Sequence, residues 1–396
     1  MKTPKNPATL VQGAAASRDL RLDFFRGVAL ICIFIDHIPE NYLNYFTLSA
    51  IGFSDAAEVF IFISGFTASL VYGRAMAVRG ALFATVQVMR RAWQLYVAHI
   101  FLFVIFIAEV SYTVRAFNNP MYNEEMGVGD FLEHPHIAVI QALILQFQPT
   151  YLDILPLYIV LLLLFPLVLV AIRRSRWLAL APALICYVAV QVLALDVPAY
   201  PSGSVWTFNP LAWQLLFVLG AVLGQTDARQ RGPAAFLRLA YVPAAVIAVI
   251  ALVIRLSWLF HGFHENFPAL FLRALWPVNK SNLAPIRLIS FFAMFVLVAH
   301  WVSPQAKFLR SFWARPVVRC GSHSLEIFCL SILLSALGHF LMSEIASGIS
   351  MQIAVNVIGI GAMCLTAAML DWYRDMQRAP LTPAMPVGSQ RGDGED

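Results

Sequence analysis

The chain has 396 residues, of which 60% are hydrophobic and 12% are charged, and it carries a net charge of +5. A soluble protein of this length would have about a quarter of its residues charged. The composition therefore excludes an ordinary soluble enzyme and predicts an all-α polytopic membrane protein. The apolar runs are too long and continuous for the strands of a membrane barrel. The positive charge indicates lysine and arginine kept on one side of a bilayer, not a nucleic-acid-binding surface.

The two ends of the chain differ from its centre. Residues 1–20 are polar and contain proline with an alanine- and serine-rich tract, so we expect a flexible tail. No small-residue cleavage pattern follows the first apolar run, which therefore predicts an uncleaved first crossing. Residues 21–373 are predicted to form one integral membrane domain, and residues 374–396 a second flexible tail.

Ten apolar runs predict about ten transmembrane helices. They cover about 24–46, 55–73, 92–114, 152–172, 177–195, 210–225, 239–260, 285–303, 322–345 and 350–371. The apolar run at 137–147 is shorter than the roughly 20 residues that a crossing helix needs, so we expect a re-entrant or interfacial helix there. With both termini in the cytoplasm, most of the 27 lysine and arginine residues fall in cytoplasmic segments. This bias is the one that the positive-inside rule expects.

The first predicted crossing contains RLDFFRGVALICIFIDHIPE, which places titratable residues in an apolar helix. Such residues are energetically unfavourable there and indicate function. Arg26 and His37 are eleven residues apart, so a helix puts them on one face, about 16 Å apart. Pro39 is expected to kink or end the regular helix. We therefore expect an anion-binding arginine at one end of this helix face and a general base near its other end.

His37 is the candidate general base, because a histidine oriented by a carboxylate is the usual arrangement for that role. Glu58 is the favoured orienting partner, since Asp36 projects about 100° away from His37 around the helix. Two alternatives remain open. In the first, His37 serves only to fix helix packing. In the second, Asp55 and Glu58 serve only to mark the water interface.

A group of arginines at the predicted cytoplasmic end is the candidate donor site. Arg26 is joined there by Arg90 and Arg91, which lie near the start of the third predicted crossing. Arginine makes bidentate contacts with phosphate, so these residues favour a phosphorylated donor bound from the cytoplasm. Membrane topology alone also accounts for basic residues in such loops.

Other motifs of ligand binding are weak. No phosphate loop, dinucleotide-binding glycine pattern or nucleophile elbow is present in the sequence. Two pairs of histidines, His134 with His136 and His261 with His264, have spacings that metals use, but neither pair has an evident third ligand. We therefore expect no metal, and the five scattered cysteines do not indicate a disulfide framework.

Four stretches together resemble a known family. They are RGVALICIFIDH, FSDAAEVFIFISGF, NPLAWQLLFVLGAVLG and CGSHSLEIFCLSIL. They resemble helix patterns of the membrane acyltransferase-3 superfamily, and the segments DHIPEN and RRAWQLYVAHI look most similar to its OpgC branch. The resemblance covers residues from about 20 to 372. It implies ten membrane helices with both termini cytoplasmic.

The resemblance also implies an activity. The family takes an acyl donor, usually acyl-CoA, on the cytoplasmic side and modifies a hydroxyl on the far side. For the OpgC branch, this activity is succinylation of osmoregulated periplasmic glucans by a protein of the bacterial inner membrane. His37 takes the position of the catalytic histidine, Arg26 that of the first-helix arginine, and Arg91 that of the first arginine of an RxxR pattern. The second arginine of that pattern is Gln94 here.

Two other functions remain open at this point. One is an O-acetyltransferase acting on another envelope polysaccharide or glycolipid, and the other is a non-enzymatic proton-coupled transporter. No protein nucleophile is evident, so direct transfer is favoured over a covalent intermediate. A succinyl donor would need a cation near its free carboxylate. Arg115, Arg255, Arg273 or Lys280 could supply that cation, and the sequence does not choose among them.

Overall fold

The computed structural model describes residues 19–225, 231–259 and 278–378. The regular structure of these residues is helical, with two isolated β-bridges. Two short 3₁₀-helices cover Tyr42–Phe46 and Lys307–Arg310. The α-helices are α1 (Leu20–Asp36), α2 (Leu48–Ile51), α3 (Ala56–Arg79), α4 (Ala81–Phe117), α5 (Met121–Glu125), α6 (Gly129–Glu133), α7 (Pro135–Leu143), α8 (Ile154–Arg174), α9 (Arg176–Leu193), α10 (Pro210–Gln225), α11 (Arg231–Leu259), α12 (Pro285–Trp301), α13 (Ala314–Ser322), α14 (Ser324–Glu344) and α15 (Ile349–Arg378).

Seven of these helices are long and apolar enough to cross a membrane, namely α3, α4, α8, α9, α11, α14 and α15. Helices α10 and α12 are shorter but also apolar. The chain is therefore an all-helical, multi-pass membrane protein, as predicted. Each of the ten predicted crossings overlaps one of these helices or α1. The number of crossings and the cytoplasmic location of the termini remain predictions.

The end of the first predicted crossing was placed too late. Helix α1 ends at Asp36, and His37 is its C-terminal cap. The backbone N–H of Ile38 bonds the carbonyl oxygen of Ile35 at 3.1 Å, which closes the helix with a tighter turn before Pro39. Because proline has no N–H to continue the ladder, Asp36 and His37 lie at the end of the helix and not deep within it.

The helix of the third predicted crossing begins earlier in the chain than predicted. Helix α4 begins at Ala81 and has 37 residues, about 56 Å at 1.5 Å per residue. Arg90 and Arg91 therefore lie inside this helix and not at its start. Arg90 is about 40 Å from the far end of α4. A hydrocarbon core is about 30 Å thick, so α4 can extend beyond it at the arginine end.

The run predicted to be re-entrant or interfacial forms α7, which has only nine residues. Its end is held by Tyr96, whose hydroxyl donates to the carbonyl oxygen of Leu143 at 2.9 Å. This length agrees with a segment that does not span the membrane. Residues 374–378, predicted to start a flexible tail, are instead helical as the end of α15. Asp19 and Leu20, at the end of the predicted N-terminal tail, form the cap and first residue of α1. Residues 1–18 and 379–396 lie outside the described residues.

Glycines set the closest helix contacts. A Cβ at Gly65 of α3 would collide with the carbonyl oxygen of Phe217 in α10, and one at Gly220 of α10 would collide with that of Phe62. Small residues allow such close approach between membrane helices. In the same way, Gly27 of α1 packs against the backbone of α13. These contacts hold α1 and α3 in the centre of the bundle, where the end of α1 meets the start of α3.

Candidate functional site

A cavity of about 360 Å³ lies where α1 ends and α3 and α8 begin. This volume is within the range of about 300–1,000 Å³ that is typical of small-molecule sites. Its polar lining combines acids, cations and one imidazole. The titratable residues around it are Asp36, His37, Asp55, Asp153, Arg255, Lys280, Tyr45 and Tyr151.

The imidazole of His37 is positioned by an aromatic ring. The His37 and Tyr151 ring centroids are 4.4 Å apart, with their planes tilted by 43°. The Nδ1 atom of His37 is buried, and no described residue gives it a hydrogen-bond partner. A buried polar atom without a partner is unfavourable unless water or a ligand reaches it. His37 therefore lines the cavity beside Tyr151, and the hydrogen-bonding capacity of its Nδ1 is not used by any described residue.

Asp36 also lines the cavity, but the loop after α1 holds its carboxylate. Its Oδ1 atom accepts hydrogen bonds from the hydroxyls of Thr47, at 2.6 Å, and Ser49, at 3.3 Å. Among the described residues, no hydrogen bond joins Asp36 to the ring of His37. The structure thus brings these two predicted site residues to one cavity without pairing them.

Glu58 has a different partner from the one that the sequence suggested. Its carboxylate is fully buried, accepts the backbone N–H of Asp55 at 2.8 Å, and accepts Arg287 Nε at 2.6 Å. Together with Asp55 it forms a capping box at the start of α3. The prediction that Glu58 orients His37 is therefore corrected, because both of its oxygens serve this cap and ion pair. The sequence did contain the signal, since an acid at the N-cap with a glutamate three residues later is a known capping pattern.

Asp55 connects the cap to the cavity. Its Oδ2 atom lies 2.9 Å from Lys280 Nζ and 3.0 Å from Arg287 Nη2. The Lys280 ammonium also lies over the ring of Phe208, 5.2 Å from its centroid. Burial alone would lower the pKa of Lys280, but the nearby charge of Asp55 outweighs it, so this pKa is raised. Lys280 is thus a charged partner of Asp55 at the cavity wall.

Arg255 and Asp153 complete the charged lining. Arg255 extends from α11, and its Nε donates to the carbonyl oxygen of Ser49 at 3.1 Å. Asp153 precedes the first residue of α8. Asp153 was not predicted as a site residue, because an acid at the start of an apolar run is equally typical of the membrane–water interface.

Arg26 lies far from this cavity on the same helix. Its Nη2 atom donates to the hydroxyl of Thr67 in α3 at 2.6 Å. Between Arg26 and His37 the helix face carries Leu30, which is fully buried, and Ile33, which is 7% exposed. In this structure these side chains fill the face of α1 between Arg26 and His37, which the sequence had suggested as a donor path.

Arg90 and Arg91 are placed on α4, at the end of the bundle away from the cavity. Arg90 is exposed, whereas Arg91 is half-buried and its Nη1 lies 3.4 Å from Gln94 Oε1. Gln94 stands where the resemblance to the acyltransferase-3 superfamily predicts a second arginine. Because residue 94 is glutamine, Arg91 has no second arginine beside it at this position.

A second, apolar cleft of about 250 Å³ follows α1, α3 and α12. It begins at Asp19 and Arg21 and ends at Ser54 and Asp55. Asp55 also lines the His37 cavity. The cleft therefore extends along α1 from near its first turn to a residue of the cavity wall.

No group of three metal-ligating side chains occurs in the part of the chain that the structure describes. His261, His264 and Arg273 lie outside that part.

A comparison with family models identifies the chain. A model described as OpgC protein matches residues 18–375. The chain belongs to the OpgC family. A search of curated proteins and a search of solved structures each found no significant match. Membership of the OpgC family indicates a membrane acyltransferase for glucan modification.

The geometry is suited to chemistry of the kind that the OpgC family indicates. An imidazole, carboxylates and aromatic rings face one cavity, and these are the groups that bind sugar hydroxyls and accept their protons. The wider resemblance to the acyltransferase-3 superfamily remains a prediction.

Proposed function

We propose that this chain is an O-acyltransferase of the bacterial inner membrane that moves an acyl group from cytoplasmic acyl-CoA to a hydroxyl of a periplasmic glucan. The acyl group that we propose is succinyl. The observation that carries this proposal is the position of His37, which lines the cavity with a buried Nδ1 that no described residue bonds. Family membership supplies the reaction class.

The proposed reaction is direct transfer with His37 as general base. The acceptor hydroxyl oxygen bonds the thioester carbonyl carbon while the imidazole takes the hydroxyl proton. The carbon–sulfur bond then breaks, and the proton passes from His37 to the departing thiolate. The products are an acyl ester and free CoA, so no covalent enzyme intermediate is needed.

The acceptor is proposed to enter from the end of the bundle that holds the cavity. Asp36 and Asp153 offer carboxylate oxygens to sugar hydroxyls, while Tyr45 and Phe208 offer aromatic faces to the apolar faces of sugar rings. Because the Asp36 carboxylate is already fixed by Thr47 and Ser49, it is pre-oriented for this task.

The donor is proposed to approach from the other end. The proposed contacts for the phosphates of CoA are Arg26, Arg90 and Arg91. Each arginine would contact a phosphate separately and not as part of a two-arginine clamp. Since Leu30 fills the direct face of α1, the apolar cleft from Arg21 to Asp55 is the proposed path of the thioester arm. Its lining would exclude water from that arm.

A proton-coupled transporter receives less support from this arrangement. A proton relay that used Glu58 would have to break its bonds, because its oxygens accept from Arg287 and from the backbone N–H of Asp55 at the cap of α3. For the enzyme, the direct test is mass spectrometry of periplasmic glucans from cells with and without the gene. Glucans that gain succinyl groups only when the gene is present support the proposal. A gain of acetyl groups on another envelope polysaccharide or glycolipid would favour the alternative acetyltransferase, and unchanged periplasmic glucans would contradict the proposal.

A further inference from the structure

The 3₁₀-helix Tyr42–Phe46 presents two tyrosine rings beside the His37 cavity. Residues three apart in a 3₁₀-helix lie on the same face, and the Tyr42 and Tyr45 ring centroids are 6.5 Å apart with their planes tilted by 34°. More than half of each residue is exposed, 57% for Tyr42 and 54% for Tyr45. The two rings therefore form a paired aromatic surface outside the packed core.

This aromatic surface is continuous with the cavity. Tyr45 is one of the residues that line the cavity, together with Asn44 of the same 3₁₀-helix. Tyr42 does not line the cavity, but its ring lies next to that of Tyr45. Tyr42 thus extends the aromatic wall of the cavity beyond its edge.

Hydrogen bonds hold the 3₁₀-helix at both ends. Before it, the buried side-chain amides of Asn41 and Asn356 bond each other reciprocally, at 3.0 and 2.9 Å. The backbone N–H of its first residue donates to Gln352 Oε1 at 3.0 Å, which ties the segment to α15. After it, the Thr47 hydroxyl donates to Asp36 Oδ1 at 2.6 Å. A segment fixed in this way presents its rings with a low entropy cost for binding a ligand.

Exposed aromatic rings beside a polar cavity are suited to a carbohydrate chain. A sugar ring has apolar C–H faces that pack on aromatic rings, and hydroxyls that need hydrogen-bond partners. A cavity of about 360 Å³ is at the small end of the range for ligand sites, so it cannot enclose a polymer. The sugars next to the one that reacts must therefore lie beyond the cavity wall, and Tyr42 offers an apolar face there.

Membrane anchoring is the alternative explanation, because exposed aromatic residues also occur at the membrane–water interface. That explanation applies equally to Phe46, which is 81% exposed. Phe46 follows Tyr45 by one position, so it points about 120° away around the 3₁₀-helix, and it does not line the cavity. Anchoring predicts that Tyr42 and Phe46 matter alike, whereas a sugar site predicts that only Tyr42 matters.

We propose that Tyr42, beside Tyr45, forms a second sugar subsite, which binds the unit of the glucan chain next to the unit that is acylated. This inference rests on the proposed acyl transfer to a glucan. The subsite makes the protein select a chain of sugars over a single sugar. Tyr42 is thus a residue that determines acceptor specificity, distinct from the proton transfer assigned to His37.

The test compares two acceptors on purified full-length protein in lipid nanodiscs, with succinyl-CoA at a saturating concentration. One acceptor is unmodified periplasmic glucan, and the other is methyl glucoside, a single sugar that cannot occupy both subsites at once. We expect Tyr42→Ala to reduce the ratio of glucan to glucoside kcat/KM by about three- to tenfold, the range that one aromatic contact gives. The loss should fall on the KM for glucan, with transfer to methyl glucoside retained.

Three further variants complete the experiment. Phe46→Ala is the matched control from the same 3₁₀-helix and should leave the ratio unchanged. Tyr42→Phe keeps the ring and should retain most of the preference for glucan. Tyr42→Leu keeps an apolar side chain without the ring, so it should lower the ratio. This last variant decides the question if Tyr42→Ala does not fold.

The outcomes separate the subsite from the function on which it rests. A ratio that removal of the Tyr42 ring leaves unchanged would overturn the subsite while acyl transfer stands. An equal loss in Phe46→Ala would assign the rings to the membrane interface and would also overturn it. If methyl glucoside is not acylated at a measurable rate, the KM for glucan decides by the same criteria. Wild-type protein that acylates neither acceptor would overturn the proposed function itself.

Discussion

Arg287 Nε lies 2.6 Å from Glu58 Oε1, so α12 is tied to the start of α3 by an ion pair whose glutamate is fully buried. The same arginine reaches Asp55, which also binds Lys280. This network holds Asp55 and Lys280, two residues that line the His37 cavity. It also assigns Glu58 a structural role that differs from the one its sequence position suggested.

Glu58→Ala should therefore lower stability more than His37→Ala does. Removing one partner of a buried ion pair leaves an uncompensated charge and typically destabilises by about 3–5 kcal/mol. Thermal unfolding of both variants in the same detergent measures the difference. A Glu58→Ala protein as stable as the wild type, but inactive, would instead return Glu58 to a role beside His37.

The contact between α3 and α10 gives a second stability prediction. Gly65→Ala adds a methyl group against the carbonyl oxygen of Phe217, where backbone must shift to make room. Overpacking of this kind costs about 1–3 kcal/mol, so the unfolding temperature should fall. Gly361→Ala is the matched control, because no atom lies within 4 Å of the added Cβ. Equal unfolding temperatures for the two variants would contradict the packing account.

The apolar cleft along α1 predicts a donor-specific defect. Val59→Trp should fill part of this cleft and raise the KM for acyl-CoA several-fold, with a smaller effect on the KM for glucan. Val104→Trp, at an exposed position of α4 that is 58% accessible, is the control for an added indole. Steady-state kinetics with each substrate varied in turn distinguish the two. A normal donor KM in Val59→Trp would exclude this cleft as the path.

The packing of the Tyr151 ring against His37 predicts a defect in catalysis when that ring is removed. Tyr151→Phe keeps the aromatic face at 4.4 Å from the imidazole and should retain nearly wild-type kcat. Tyr151→Ala removes that support, and we expect kcat to fall about tenfold, since a small misplacement of a reacting group has effects of this size or larger. If both variants behave alike, the stack does not position the base.

Much of the fold could be predicted because hydropathy is a local property. Runs of apolar residues located the ends of helices α8, α10, α12 and α14 to within about two residues. The end of α1 and the start of α4 were misplaced because neither boundary is set by hydropathy. A tight turn before Pro39 ends the first helix, and α4 continues as a helix through its arginines.

The candidate site was predictable only in part. His37 stood out because an imidazole beside Asp36 is unusual in an apolar run. The partners of Glu58 and Asp55 were not predictable, since Arg287 lies 229 and 232 positions further along the chain. No periodic pattern spans such a distance. Lys280 and Arg255 were visible as cations, but only the tertiary structure shows that Lys280 binds Asp55 and that Arg255 reaches Ser49 of α2.

The most direct test of the account is acyl transfer by purified His37→Gln protein, measured at saturating acyl-CoA and glucan. General base catalysis contributes about 10²–10⁴-fold, so we expect kcat to fall by at least a hundredfold while the protein keeps its unfolding temperature. His300→Gln is a matched control, because the His300 ring packs against Tyr241 with a centroid distance of 4.6 Å but lies outside the cavity. It should retain wild-type kcat. A His37→Gln enzyme with a kcat within a few-fold of the wild type would contradict the central claim.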